Sequence, residues 1–568
     1  MSKQNWRYGF TCLVATAIAL ASTAAFAMPP YPGDEKDPSS FAQAEALRQS
    51  YSEMQEDWQA RGINQSTGID CREWLLSTSS ASKNILCILI DFPDKANTAT
   101  ASFFDTLIYV NQVGAVRHYY NEVSFNQLDI VTVELPSDLD WVTASNNYTY
   151  YTNGDYGLGG YPQNCQKLVE EAVDAVNGVV NYADYDNDGD GWVDGLMVVH
   201  AGRGAELTGS VNDIWSHQWA ISPRYRDGKF VFTYSMMPEY WYAAGDMTLG
   251  VFCHELGHVF GLPDLYDTDY TSDGIGKWSL MAGGSWNGYL GNSPAHFDAW
   301  SRIELGFATY TNITSTSYGA SIPNVNASGT IFRLWTSGAI GNEYYLVENR
   351  KRTGYDTALP NRGLLIWHVD DGVSGNDDEW YPGHTSYGHY NVALVQADNL
   401  WGLEKGLSSG DSGDPFPGSS GNTAFSPLTS PNSDGYGGSN SLVGVTNVSA
   451  AADTMTADFF VSFVSATEDD APATLPESFS VSQNFPNPFN GSTRIEYSVP
   501  SEGEVTVEIF NILGQTVAGF KTYAESAGSQ SIEWDGQGSD GDEAPAGIYF
   551  YRITHDEQST VRKMLFLK

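Results

Sequence analysis

The stretch CHELGHVFGLPD, Cys253 to Asp264, sets two histidines four residues apart, with a glutamate directly after the first and a glycine, a proline and an aspartate behind the second. On a helix, residues four apart lie one above the other on the same face, so His254 and His258 aim their imidazoles at one point. That pair fills two of the four tetrahedral positions of a zinc ion. Glu255, about 100° further round the helix, is badly placed as a ligand but within reach of a zinc-bound water. The chemistry is hydrolysis: zinc lowers the pKa of its water and polarises a carbonyl, while Glu255 takes the proton and returns it to the leaving amine. Asp264 is the candidate third ligand, with Asp267 three residues further on as the competing choice, and the fourth position is left to water.

A second constellation is DYDNDGDGWVDG, whose carboxylates are too closely spaced to coexist without a cation or strong solvation. With Asp186 at position 1 of a calcium loop, Asp188 falls at 3, Asp190 at 5, Gly191 at the turn position 6, the Trp192 carbonyl at 7 and Asp194 at 9. Met197 occupies position 12, where a bidentate glutamate ordinarily sits, so another residue such as Asp184 must complete the shell. Calcium is expected here in preference to a merely solvated loop.

Elements must hold these groups. Leu249, Phe252, Leu256, Val259 and Phe260 form an apolar stripe along the histidine helix, Asp246 or Thr248 is available as its N-cap, and Gly261 and Pro263 end it. WSLMAGGSW follows, and its Met281 is placed to form a methionine-containing turn beneath the site. Upstream, NILCILIDF and GLMVVHAG are continuous apolar runs that predict buried strands, and CQKLVEEAVDAVNGVV has the period of an amphipathic helix. The fold class that follows is an α+β zincin-type catalytic domain, a mixed sheet plus the active-site helix, over 84–308. Short strand-like runs separated by Gly, Asn, Ser and Pro then predict a β-rich companion domain over 309–465. An acidic, Pro-bearing linker follows at 466–477, and alternating strands predict a small β-sandwich over 478–568.

The 568 residues carry 28 Lys plus Arg against 69 Asp plus Glu, a formal net charge of -41 that disfavours nucleic acid and anionic membranes as partners. Residues 1–27 have the form of an export signal: Lys3 and Arg7, an apolar run, then Ala25-Phe26-Ala27 as a cleavage site. No later run is long and apolar enough for a transmembrane segment. Polar, helix-compatible residues 28–83 suit a pro-segment. Cys71, Cys87, Cys165 and Cys253 would remain after signal removal, leaving two bridges, one or none open.

With VRHYYNEVSF, DIWSHQW, HELGHVFGLPDLYD, YLVENR, GLLIWHVD and GDPFPG in that order, the region from Asn84 to Val464 resembles the immune inhibitor A metallopeptidases, secreted bacterial zinc endopeptidases. The resemblance implies His254, His258 and Asp264 as zinc ligands, Glu255 as catalytic base, protein or peptide substrates, and synthesis as an inactive precursor, with Cys71 one suspect for the latency residue. FSVSQNFPNPFNGSTRIEYSVP, PAGIYFYRI and the final RKMLFLK resemble type IX secretion sorting domains. That likeness implies the secretion machinery as a partner and a location outside, or on the outer surface of, a Gram-negative cell. The alternative function is a calcium-stabilised surface adhesin with a vestigial zinc site; the intact Glu255 argues against it.

Overall fold

The structure is a computed structural model and describes residues 26–31, 82–384, 388–463, 479–481, 483–484, 487–524, 528–539, 544–556 and 558–567. Most of the signal and pro-segment, Cys71, and the whole linker 466–477 lie outside the described residues. The chain divides into two compact units, Met1–Phe463 and Val464–Lys568.

The first unit is built on a mixed sheet of β1 (Phe26–Ala27), β2 (Leu86–Asp91), β3 (Trp141–Thr143), β4 (Leu196–Arg203), β5 (His217–Arg226) and β6 (Lys229–Tyr240). Their order across the sheet is β1-β5-β6-β4-β2-β3. The four strands β6, β4, β2 and β3 run parallel, while β5 is antiparallel to β6, and β1 to β5. Parallel strands are covered on both faces, which is why the β2 sequence is apolar without alternation. Successive side chains still point oppositely. Cys87 and Leu89 enter one core with Met197 and Val199, and Leu86, Ile88 and Ile90 enter the other with Leu196 and Val198. Asp227 and Gly228, both at positive φ (48° and 84°), close the β5–β6 hairpin in the sense that matches strand twist.

Helix α2 (Cys165–Val176) covers the second core through Leu168, Val169, Ala172 and Val173, and its N-cap Asn164 accepts the Lys167 N–H at 3.2 Å. The first core takes α1 (Val116–Val123) and α3 (Leu249–Val259), the histidine helix. The expected stripe on α3 is incomplete as a description, because every residue of α3 is buried. A helix enclosed on all sides has no solvent face to keep polar. Its N-terminus also differs: Thr248 is the N-cap, but its hydroxyl donates to the Leu290 carbonyl instead of accepting from the helix. Asp246 instead accepts the N–H groups of Trp241, Tyr242 and Ala243 at 2.8–2.9 Å. At the C-terminus Gly261 adopts φ 91°, and the Gly261 and Leu262 N–H groups bond the His258 and Gly257 carbonyls. This left-handed exit needs glycine and turns the chain sharply back.

The β-rich segment supplies a five-stranded sheet (Thr309–Asn312, Thr330–Leu334, Glu343–Arg350, Gly363–Asp370, Val392–Leu394) and a three-stranded one (Ser317–Pro323, Gly444–Thr446, Thr454–Phe460). The texture change near residue 308 is not a boundary between compact units. Leu346, Leu365 and Trp367 join the same core as α3. The YLVENR motif explains part of this joint. Arg350 is fully buried, grips Asp356 through two hydrogen bonds (2.8 and 2.9 Å) and donates to the Phe297 carbonyl at 3.1 Å, close to the turn beneath the site.

The second unit packs a three-stranded sheet and a five-stranded sheet around its own core, where Val505, Val507 and Ile509 are fully buried. Cys87, Cys165 and Cys253 are free, buried thiols. Among the described residues no helix is long and apolar enough to cross a membrane.

Candidate metal centre

Helix α3 brings His254 and His258 together with their Nε2 atoms 3.1 Å apart, and the chain turned back by Gly261 delivers Asp264 to the same point. Asp264 Oδ1 lies 3.2 Å from His254 Nε2 and 3.3 Å from His258 Nε2. Backbone carbonyls fix both rings: His254 Nδ1 donates to Leu280 at 2.9 Å and His258 Nδ1 to Leu262 at 2.8 Å. With Nδ1 carrying the proton, each Nε2 presents a lone pair inward. Three acceptor atoms therefore meet at one buried point without a donor among them. That arrangement is repulsive unless a cation lies between them, and two imidazoles with one carboxylate are a donor set that suits zinc. Burial lowers the His254 pKa against the pull of Asp264, and so favours the neutral, ligating imidazole.

Asp267 is elsewhere. Its oxygens accept from Ser272 Oγ (2.6 Å), Thr271 Oγ1 (3.0 Å) and the Asp269 N–H (3.0 Å), and burial pushes its carboxyl up to about 7. Met281 lies directly under the helix, so close that a Cβ at Gly257 would stand 2.6 Å from its sulfur. Glycine at 257 lets the turn carrying the Leu280 carbonyl approach His254.

Glu255 is fully buried, and neither carboxylate oxygen has a hydrogen-bond partner. Burial, reinforced by the charges of Asp264 and Glu206, pushes its carboxyl well above the usual range. Residues 26–31 run past this glutamate. β1 pairs with His217 and Gln218 of β5, the Met28 N–H donates to the Ser216 carbonyl (3.1 Å), and Tyr31 N–H donates to Glu206 (2.9 Å). Two indoles clamp the segment: Trp215 Nε1 donates to the Met28 carbonyl (2.7 Å) and Trp286 Nε1 to the Pro29 carbonyl (2.8 Å). Trp215 and Trp286 stand inside the quoted stretches DIWSHQW and WSLMAGGSW, but no pattern gave them this role, and none singled out Glu206 or the two ring-holding carbonyls.

In the acidic loop the structure gathers Asp186, Asp188 and Asp194, with ligand atoms within 4.8 Å of one another. Asp190 is not in that cluster; its carboxylate accepts the Trp192 N–H at 2.8 Å, and Trp192 stacks on Phe230. Asp184, considered for the missing ligand, accepts from Asn181 instead, and Lys229 pairs with Asp186. A third acidic group, Asp398, Asp411 and Asp414, comes together only in the fold, because Asp398 is distant from the other two along the chain.

Comparison with known proteins bears on this centre. Residues 74–306 match the family described as Immune inhibitor A peptidase M6, catalytic domain. The chain is 31% identical over 276 residues to the pre-pro-metalloprotease PrtV of Vibrio cholerae, covering 38% of this chain and 29% of that protein. It is 42% identical over 130 residues to Immune inhibitor A of Bacillus thuringiensis subsp. alesti, covering 20% and 18% respectively. These likenesses support an M6 metallopeptidase segment that includes the whole of α3, although the chain spans less than a third of either relative's length. Residues 486–559 match the FlgD Ig-like domain family. The FlgD structure from Xanthomonas campestris is 27% identical over 15% of this chain and 64% of its own, with a TM-score of 0.13.

Proposed function

We propose that the chain is a secreted zinc-dependent endopeptidase made as a latent precursor. The observation that carries this reading is the convergence of two imidazoles, fixed with Nε2 inward, and one carboxylate, on His254, His258 and Asp264, beside the buried carboxyl of Glu255. Those three residues would hold zinc, which supplies Lewis acidity toward a peptide carbonyl and an attacking water. Leu280 and Leu262 keep the imidazoles in the ligating tautomer. Glu255 accepts the proton of the attacking water and passes it to the leaving amine, a task its burial favours by raising the basicity of its carboxylate.

Latency follows from the segment that covers Glu255: residues 28–31, which stay in the precursor once the signal is removed, are held by Ser216, Glu206 and two indoles and occupy space a substrate strand needs. Calcium in the loop from Asp186 to Asp194 would relieve repulsion among its carboxylates, with Asp186, Asp188 and Asp194 as the ligating core. The C-terminal β-sandwich is read as a sorting module for export across a Gram-negative envelope, with the secretion machinery as its partner. Purified mature protein incubated with casein, with and without a zinc chelator, tests the enzymatic reading. Chelator-sensitive cleavage that zinc restores is expected, and intact casein in both arms would leave the binding-protein alternative.

A further inference from the structure

The β-rich part of the first unit encloses a cavity of about 200 Å³ that peptide hydrolysis does not use. Aromatic rings wall it. Trp380 stands nearly perpendicular both to Trp401 (78°, centroids 5.4 Å apart) and to Tyr436 (78°, 6.4 Å), with Tyr390 on a further side. Tyr436 is held on both faces: His368 stacks on it at 3.9 Å and His389 at 3.8 Å. Carboxylates anchor those imidazoles in turn, Glu343 on His368 and Asp370 on His389, each at 2.9 Å. The rings are therefore fixed before any ligand arrives, which lowers the entropy cost of binding.

Glu404 contributes the carboxyl. It is 2% exposed, lines the cavity and accepts from Gln396 Nε2 at 2.6 Å. Neighbouring Lys405 directs its ammonium to the Leu400 carbonyl, 2.9 Å away. The π-faces of indole and phenol rings carry negative potential, and a carboxyl among them selects against anions and for a cation with an apolar body. The volume admits a group of several heavy atoms, well beyond a bare metal ion.

We propose that this cavity binds an organic ammonium group, seated against the indoles of Trp380 and Trp401 and paired with Glu404; Tyr436, its faces taken by His368 and His389, serves only to hold the wall in place. The shared chemistry has two sources, the quaternary headgroup of a choline-type compound and the ε-ammonium of a lysine side chain. Burial, aided by the charge of Asp414 and opposed by Gln396 and Lys405, raises the Glu404 carboxyl to about 8, so an arriving cation displaces a proton at neutral pH.

The test is calorimetric titration of the full chain with choline, with Nα-acetyl-lysine methylamide and with 3,3-dimethylbutan-1-ol, the neutral isostere of choline, in two buffers of different ionisation enthalpy. At least one ammonium is expected to bind about tenfold or more tightly than the isostere, with release of up to one proton, and the tighter of the two names the source. Trp380→Ala, at the cavity mouth, and Glu404→Gln are each expected to weaken binding about tenfold while the melting temperature is kept. Equal binding of choline and its isostere would reduce the site to an apolar cavity. Absence of heat with both ammonium probes, or affinities untouched by both substitutions, would overturn the proposal.

Discussion

A buried histidine normally has both ring nitrogens satisfied, as His217 does through the Trp215 carbonyl (2.7 Å) and the Tyr234 hydroxyl (3.0 Å). His254 and His258 each satisfy one nitrogen and turn the other toward Asp264. Asp264→Ala is therefore expected to lower the zinc bound per chain, measured by atomic absorption, while Asp267→Ala leaves it unchanged because its oxygens already serve Ser272, Thr271 and Asp269. The reverse result would move the ligand by three residues. Glu255→Ala removes a proton acceptor but no ligand, so zinc content should hold while casein turnover falls by a factor on the order of 10²–10⁴. Wild-type turnover in that variant would contradict the assigned role. In the acidic loop, Lys229 neutralises Asp186 but leaves Asp188 and Asp194 beside it. A calcium chelator that spares zinc should lower the melting temperature, and an unchanged value would remove calcium from this loop.

The elements divide by how local their cause is. β2, β4 and α2 were legible because each carries its own signal, a continuous apolar run or a helical period, and burial follows directly from it. The histidine helix was legible from the same period, yet its all-round burial was not, since the β-rich segment and the turn at Met281 that enclose it come later in the chain. The choice between Asp264 and Asp267 depended on how far Gly261 swings the chain, a matter of tertiary geometry. β1 was illegible: its two residues lie in what the sequence presents as the end of a signal, and its partners His217 and Gln218 are far along the chain. Because Trp215 and Trp286 each give one indole N–H to this segment, Trp215→Phe combined with Trp286→Phe removes two hydrogen bonds worth about 1 kcal/mol each. Precursor activity on casein should rise by roughly 30-fold. A fall in precursor and mature activity alike would mean that the indoles serve the substrate instead of the inhibitory segment.

At the scale of the whole molecule, an acidic chain has buried several carboxyls whose charge it disfavours: Glu206 is pushed up by burial to about 7 and Glu404 to about 8. Unfolded, each ionises near pH 4.3. Below that pH both states are protonated and nothing changes; above it the unfolded chain ionises first, so the folded state holds the extra protons and loses stability until the folded pKa is passed. Buried histidines held neutral, such as His200 and His217, act in the opposite sense below about pH 6.5, so the fall in melting temperature is expected between about pH 6.5 and 8, and Glu404→Gln should flatten it. An equal slope in the variant would show that Glu404 does not ionise in this range. The two units each close a hydrophobic core from their own residues, up to Val461 in the first and from Val481 in the second. All three groups of candidate metal ligands found among the described residues lie in the first unit. A chain ending at Pro476 is accordingly expected to fold, to melt within about 2 °C of the first transition of the full chain, to bind zinc and to cleave casein. In its native host it should accumulate in the periplasm, because the module proposed to direct export is gone. Loss of peptidase activity in the purified truncated chain would make the β-sandwich part of the working enzyme, whereas normal export without it would assign the address to residues before 464.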